Sequence, residues 1–252
     1  MLWHYIHIQK TLAMTKNIFL LLAACSFLLT SCIETLEEIY MNKDGSGKYN
    51  VTFDMSEFFS NPMMKSMIEE AAKEEGEASG FDLGETDTLI HLGDSGLAEG
   101  VMKNAVMRMT MSDSLGKFLV NMSFPFENVG QIDEFFQKLS EQGAGADAGM
   151  MGGMGSLLMP GGKFAFQKKR LTRMKNDQEG ASELFAGEDG EFMKMFFSGG
   201  THTTVYHLPG KVKKTTIEGA EVDGNTVTVE RPLMDLMEGK VGLEGEIRFK
   251  NK

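Results

Sequence analysis

Apolar and polar positions alternate cleanly over residues 48–55, with Tyr49, Val51, Phe53 and Met55 on one side and Lys48, Asn50, Thr52 and Asp54 on the other. A period of two predicts a strand with one buried face. Residues 33–42 alternate more loosely, and Lys43-Asp44-Gly45-Ser46-Gly47 between the two runs supplies turn chemistry, so a hairpin is expected here. The pattern recurs at 105–112 and 117–124 around the turn Asp113-Ser114-Leu115-Gly116. Met107, Met109 and Met111 share one face of the first run, and Phe118, Val120, Met122 and Phe124 alternate along the second. Thr88 to Leu92 reads as a further short strand.

Toward the C-terminus, Thr201 to Leu208, Lys211 to Ile217 and a hairpin at Asp223-Gly224 leading to Val227 and Val229 read as sheet. In the last run Val241, Leu243, Gly245, Ile247 and Phe249 oppose Lys240, Glu244, Glu246, Arg248 and Lys250. Helical spacing appears twice. Asn61-Pro62 offers a cap and first turn before Met63, Met64, Met67, Ile68, Ala71 and Ala72. Asn128 and Gln131 have capping-box spacing before Ile132, Phe135, Phe136 and Leu139. Phe192 to Phe197 adds one or two helical turns. The expected fold is α+β, antiparallel sheet(s) with two or three amphipathic helices on one side.

Two stretches break the periodicity. Residues 143–162 are glycine, alanine and methionine with almost no charge, and are expected to form a mobile loop. Residues 163–175 carry Lys163, Lys168, Lys169, Arg170, Arg173 and Lys175 and are expected to form a strand.

Before residue 33 the pattern changes kind. Lys16 precedes an apolar run from Ile18 to Leu29, and Leu29-Thr30-Ser31-Cys32 places small residues before a cysteine. This is the form of a bacterial lipoprotein signal, with Cys32 as the lipidated first mature residue. Leu22-Ala23-Ala24-Cys25 fits the same box but leaves Phe27, Leu28 and Leu29 beyond the cut. Residues 1–13 precede a more natural start at Met14 and read as a start-site artefact, residues 14–31 as the signal peptide, and residues 32–252 as a single domain. Several buried acyl chains, each methylene worth about 0.8 kcal/mol, would make such an anchor effectively permanent.

The chain of 252 residues has 21 methionines. Without its first 31 residues it carries 23 basic against 36 acidic residues, a net −13, which disfavours nucleic acid as a partner. Cys32 is then the sole cysteine, with its sulfur acylated, so no disulfide and no thiolate chemistry is expected. His202 and His207 are five apart on a predicted strand and face opposite ways, so they cannot share a metal. Glu37-Glu38, Glu69-Glu70 and Glu74-Glu75 read as solvated surface charge. No nucleophile elbow, P-loop, HExxH or dinucleotide fingerprint occurs. Met150-Met151-Gly152-Gly153-Met154 invites a thioether site but has no histidine or cysteine beside it. Neither an enzyme, a cofactor nor a metal is expected.

Lys43-Asp44-Gly45-Ser46-Gly47 just beyond the cysteine, His207-Leu208-Pro209-Gly210-Lys211-Val212, and Val222-Asp223-Gly224-Asn225-Thr226-Val227-Thr228 together resemble the LppM-like family of bacterial envelope lipoproteins. Val229 stands where a tryptophan is frequent in that family, and no membrane helix follows the last strand. The resemblance implies an α+β domain similar to lipid-transport folds, with no catalytic residue to carry over. The expectation is a non-enzymatic, membrane-anchored lipoprotein of the cell envelope, at the outer membrane of a two-membrane bacterium, that binds a lipid or other amphiphile. Lys168, Lys169, Arg170 and Arg173 would meet an anionic head group. The alternative is a scaffold lipoprotein that binds another envelope protein through its acidic surface or the Phe192 to Phe197 turn.

Overall fold

The computed structural model describes residues 33–62, 66, 85–94, 100–143, 162–175, 194 and 197–250. Cys32 to Lys252 fall in one compact unit. The first hairpin forms as its alternation requires: β1 (Glu34–Met41) pairs antiparallel with β2 (Gly47–Asp54), Glu34 opposite Asp54 and Met41 opposite Gly47. Gly45 turns the chain at a φ of 92° beneath the Phe166 ring, where a side chain would be both strained and obstructed.

A short helix α1 (Ser56–Ser60) follows, then β3 (Thr86–His91), β4 (Val106–Ser112) and β5 (Lys117–Phe126). Helix α2 (Gly130–Gly143) opens with Asn128 Oδ1 accepting the Gly130 N–H at 3.1 Å, while Gln131 Oε1 accepts the Glu127 N–H at 2.7 Å. The reciprocal cap expected from Asn128 and Gln131 therefore closes one residue early. Next come β6 (Phe164–Gln167), β7 (Arg170–Arg173), β8 (Thr201–His207), β9 (Val212–Thr215), β10 (Glu221–Asp223), β11 (Thr226–Pro232), helix α3 (Leu233–Met237) and β12 (Gly245–Phe249).

These strands make two sheets. Eight run in the order β10-β11-β8-β1-β2-β5-β4-β3, and four in the order β6-β7-β12-β9. Every ladder is antiparallel except one, for β8 lies parallel beside β1 with Glu34 opposite Thr201 and Tyr40 opposite His207. The inner face of the large sheet carries Ile39, Tyr49, Val51, Phe53, Phe118, Val120, Phe124, Tyr206, Val227 and Val229, all buried. Against it lie the small sheet, through Phe164, Leu171, Ile247 and Phe249, and helix α2, whose Phe135 stacks on Phe124 at 4.1 Å.

The expected α+β layer is corrected by this arrangement. The described chain is mostly strand, in two sheets, and α2 is its only described helix longer than seven residues. The role expected of two or three helices, covering one sheet face, falls largely to four strands instead. Residues 163–175 form the β6–β7 hairpin rather than one strand, with Lys168 at the turn at a φ of 56°. The final strand begins at Gly245, short of the alternation that starts at Val241. Of the helix expected after Pro62, only Pro62 and Ser66 are described, both helical, and the rest lies outside the described residues. The glycine-methionine stretch also lies outside them, apart from Gly143 and Gly162.

Candidate functional site

Thr35, Glu37, Ile39 and Met41 share the buried phase of β1. A glutamate in that register must find partners inside the protein or pay several kcal/mol for its lost hydration. Glu37, 1 % exposed, finds them on three other strands. Its Oε1 accepts the Tyr49 hydroxyl of β2 at 2.9 Å, and its Oε2 accepts the Thr204 hydroxyl of β8 at 2.7 Å. Arg173 of β7 reaches across from the small sheet, and its Nη1 donates to the same Oε2 at 2.7 Å. That nitrogen also donates to Tyr206 Oη at 3.2 Å, and the guanidinium lies 5.0 Å from the centre of the Phe164 ring.

His202 completes the cluster. Thr204 Oγ1 spends its proton on Glu37, so its 3.0 Å contact with His202 Nε2 requires the imidazole to be the donor. The proton then sits on Nε2, and Nδ1 is a bare acceptor. His202 Nδ1 is buried without a hydrogen-bond partner among the described residues, as is Oγ1 of Thr35, the residue opposite His202 across the β1–β8 ladder.

The electrostatics follow from these contacts. Burial pushes the Glu37 carboxyl up, but Arg173 and the hydrogen bonds around it outweigh that and hold it well below the usual carboxylate range. Burial works against the Arg173 charge, yet Glu37 and Tyr206 raise its pKa above its ordinary value. Burial lowers His202 more than Glu37 raises it, so the imidazole is neutral near pH 7, and its 3.5 Å approach to Glu37 is not an ion pair there. Burial raises Tyr49 and Tyr206. The result is one carboxylate and one guanidinium joined between two sheets, sealed from solvent by aromatic side chains.

A second polar array occupies the opposite face of the large sheet. Glu38 accepts from the Tyr40 hydroxyl at 2.7 Å and from Asn50 Nδ2 at 2.9 Å, and these donors lower its pKa although burial opposes them. Tyr40 stacks on His207 with ring centres 4.2 Å apart. His202 and His207 do fall on opposite faces, as their spacing predicts.

The four basic residues expected to bind a head group do not act together. Arg173 is 3 % exposed and committed to Glu37. Arg170 pairs with Glu246 at 3.3 Å and donates to Gln167 at 2.9 Å. Lys168 and Lys169 are exposed at the β6–β7 turn. Cys32 and the Met150 to Met154 run lie outside the described residues. Phe197 is fully buried, which removes it from the surface expected to contact a protein partner.

Sequence reasoning missed Glu37 by pairing it with Glu38 as surface charge. The available signal was its phase, since it shares the parity of Thr35, Ile39 and Met41 in an alternating strand.

No family model and no curated protein matches the chain. Among solved structures it is similar to the NMR structure of the folded domain of the Mycobacterium tuberculosis LppM protein, at 10 % identity over 88 % of this chain and 92 % of that one, with a TM-score of 0.43. That likeness is too distant to carry an inference about activity.

Proposed function

We propose that this chain is a non-enzymatic, lipid-anchored protein of the bacterial envelope whose domain binds an amphiphile on the inner face of β3 and β4. The observation that carries the reading is a methionine-rich surface there. Ile90, Met107 and Met109 are half-buried on that face, next to buried Met111 and Met122. Flexible thioethers adapt to varied apolar shapes, as a binding surface for acyl chains requires. The signal before Cys32 supports the anchor, and β1 begins only two residues beyond it. In support of a non-catalytic role, the buried charges Glu37 and Arg173 are spent on each other and sealed from solvent.

Titration of the acylated chain with a dansyl-labelled fatty acid tests this. Saturable binding that weakens at least tenfold in Met107→Gln/Met109→Gln, with an unchanged melting temperature, is the expected result. Binding that does not saturate, or that ignores the substitution, rejects the methionine face as the site.

A further inference from the structure

We infer that the end of the domain remote from Cys32 is a docking surface for a facing anionic lipid surface, an inference that rests on lipid anchoring at Cys32. The topology fixes the two ends. Ile33 is fully buried and its carbonyl accepts the Thr201 N–H at 2.9 Å, so an anchor at Cys32 has almost no tether. The 8 residues of β1 then carry the chain about 25 Å away at some 3.3 Å per residue.

At the far end four turns converge. The β1–β2 turn meets β6 where Gly45 lies against Phe166. Phe249 N–H donates to the Lys169 carbonyl at 3.0 Å, Lys250 N–H to the Lys211 carbonyl at 2.8 Å, and Val212 N–H to the Gly224 carbonyl at 2.9 Å. These contacts gather Lys43, Lys168, Lys169, Lys211 and Lys250, all exposed. Asp44, Asp94, Asp223 and Glu127 share this end, with exposed Lys103 near Asp94, and Asp44 is already engaged by the Ser46 N–H and hydroxyl. Toward the Cys32 end the β1–β2, β4–β5 and β11–α3 segments carry Asp54, Glu57, Asp113, Asp235 and Glu238 beside Lys117 and Lys240, and Lys163 and Lys175 lie at the open end of the β6–β7 hairpin. Five exposed lysines of an acidic protein thus lie together at the end away from Cys32.

The chemistry favours a charged surface over a shaped ligand. Lysines on convex turn tips act as point charges without the fork of arginine, which suits attraction to many phosphates at once. Lys168 stands at the β6–β7 turn in a left-handed backbone conformation, at a φ of 56°.

The test reconstitutes the acylated chain in neutral phosphatidylcholine vesicles and adds phosphatidylcholine vesicles containing phosphatidylglycerol, with tethering read by light scattering. Tethering that needs the anionic lipid, disappears at high salt and falls at least tenfold in Lys43→Ser/Lys168→Asn/Lys169→Ser/Lys211→Ser, with no loss of melting temperature, supports the inference. Absence of tethering by the anchored wild-type chain, or equal tethering by the variant, overturns it. Binding to isolated peptidoglycan sacculi without binding to anionic vesicles also overturns it, in favour of a wall polymer. A chain that fails to float with the neutral vesicles refutes the anchor instead. The basic end is then judged by cosedimentation of the unanchored chain with anionic vesicles, where binding lost in the variant supports it and no binding overturns it.

Discussion

Arg173 Nη1 lies 2.7 Å from Glu37 Oε2 although 136 residues of chain separate them. The contact joins the small sheet to the centre of the large one, between side chains 2 % and 1 % exposed. Both charges have lost their water, so each depends on the other.

Removing either partner alone should cost about 3–5 kcal/mol, because it leaves an uncompensated buried charge. Glu37→Gln and Arg173→Met are each expected in that range by urea denaturation. The double variant should lose far less than the sum. Additive losses would show that the two groups do not act as a pair.

Acid should destabilise the domain in two stages. His202 is held below its ordinary value of 6.5, so the unfolded chain takes up a proton first. Its contribution is complete above about pH 6.5 and falls at about 1.4 kcal/mol per pH unit below it, until the folded imidazole also protonates. Glu37 is held below its ordinary 4.5, so its contribution stands above that pH and is lost as pH falls through the carboxylate range toward the folded value. Urea midpoints measured from pH 8 to pH 3 should show both limbs, and His202→Asn should remove only the upper one.

Gly162 supports the ion pair by being small. A Cβ there would sit 3.1 Å from Arg173 Nε and 3.6 Å from its Cγ. Gly162→Val should destabilise by about 1–3 kcal/mol through displacement of the guanidinium. The same change in an Arg173→Met background should cost less. An equal cost in both backgrounds would place the clash elsewhere.

Phe197 is fully buried beside the start of β8, where the Gly200 N–H donates to its carbonyl at 3.0 Å. Phe197→Ser should cost roughly 3–5 kcal/mol, as expected for emptying an aromatic core site. A variant that keeps its melting temperature but loses a protein partner would return this residue to the surface.

The N-terminal peptide decides the anchor. Mass spectrometry of the chain from a bacterial membrane fraction should find acylated Cys32 as its first residue, and Cys32→Ser should move the protein to the soluble fraction. An unmodified Cys32 defeats both the proposed function and the membrane orientation drawn from it.

The hairpins β1–β2, β4–β5 and β10–β11 and helix α2 were legible in the chain because each is a local device. Period-two alternation, a glycine or aspartate turn, and an i, i+3, i+4, i+7 stripe act over a few residues, and Gly116 and Gly224 hold the positive φ values their turns need. The opposite facing of His202 and His207 was legible for the same reason. What alternation cannot carry is which apolar face meets which. Residues 163–175 read as one strand and the cover of the sheet as helices, yet β6, β7, β9 and β12 pair with one another and form a second layer. The parallel union of β1 and β8 likewise depends on pairing across about 160 residues, for which no local period exists. Glu37 and Arg173 show the consequence most directly. Local charge read them as solvated carboxylate and exposed cation, and only the packing of two sheets, by excluding water from both at one point, made each the other's partner.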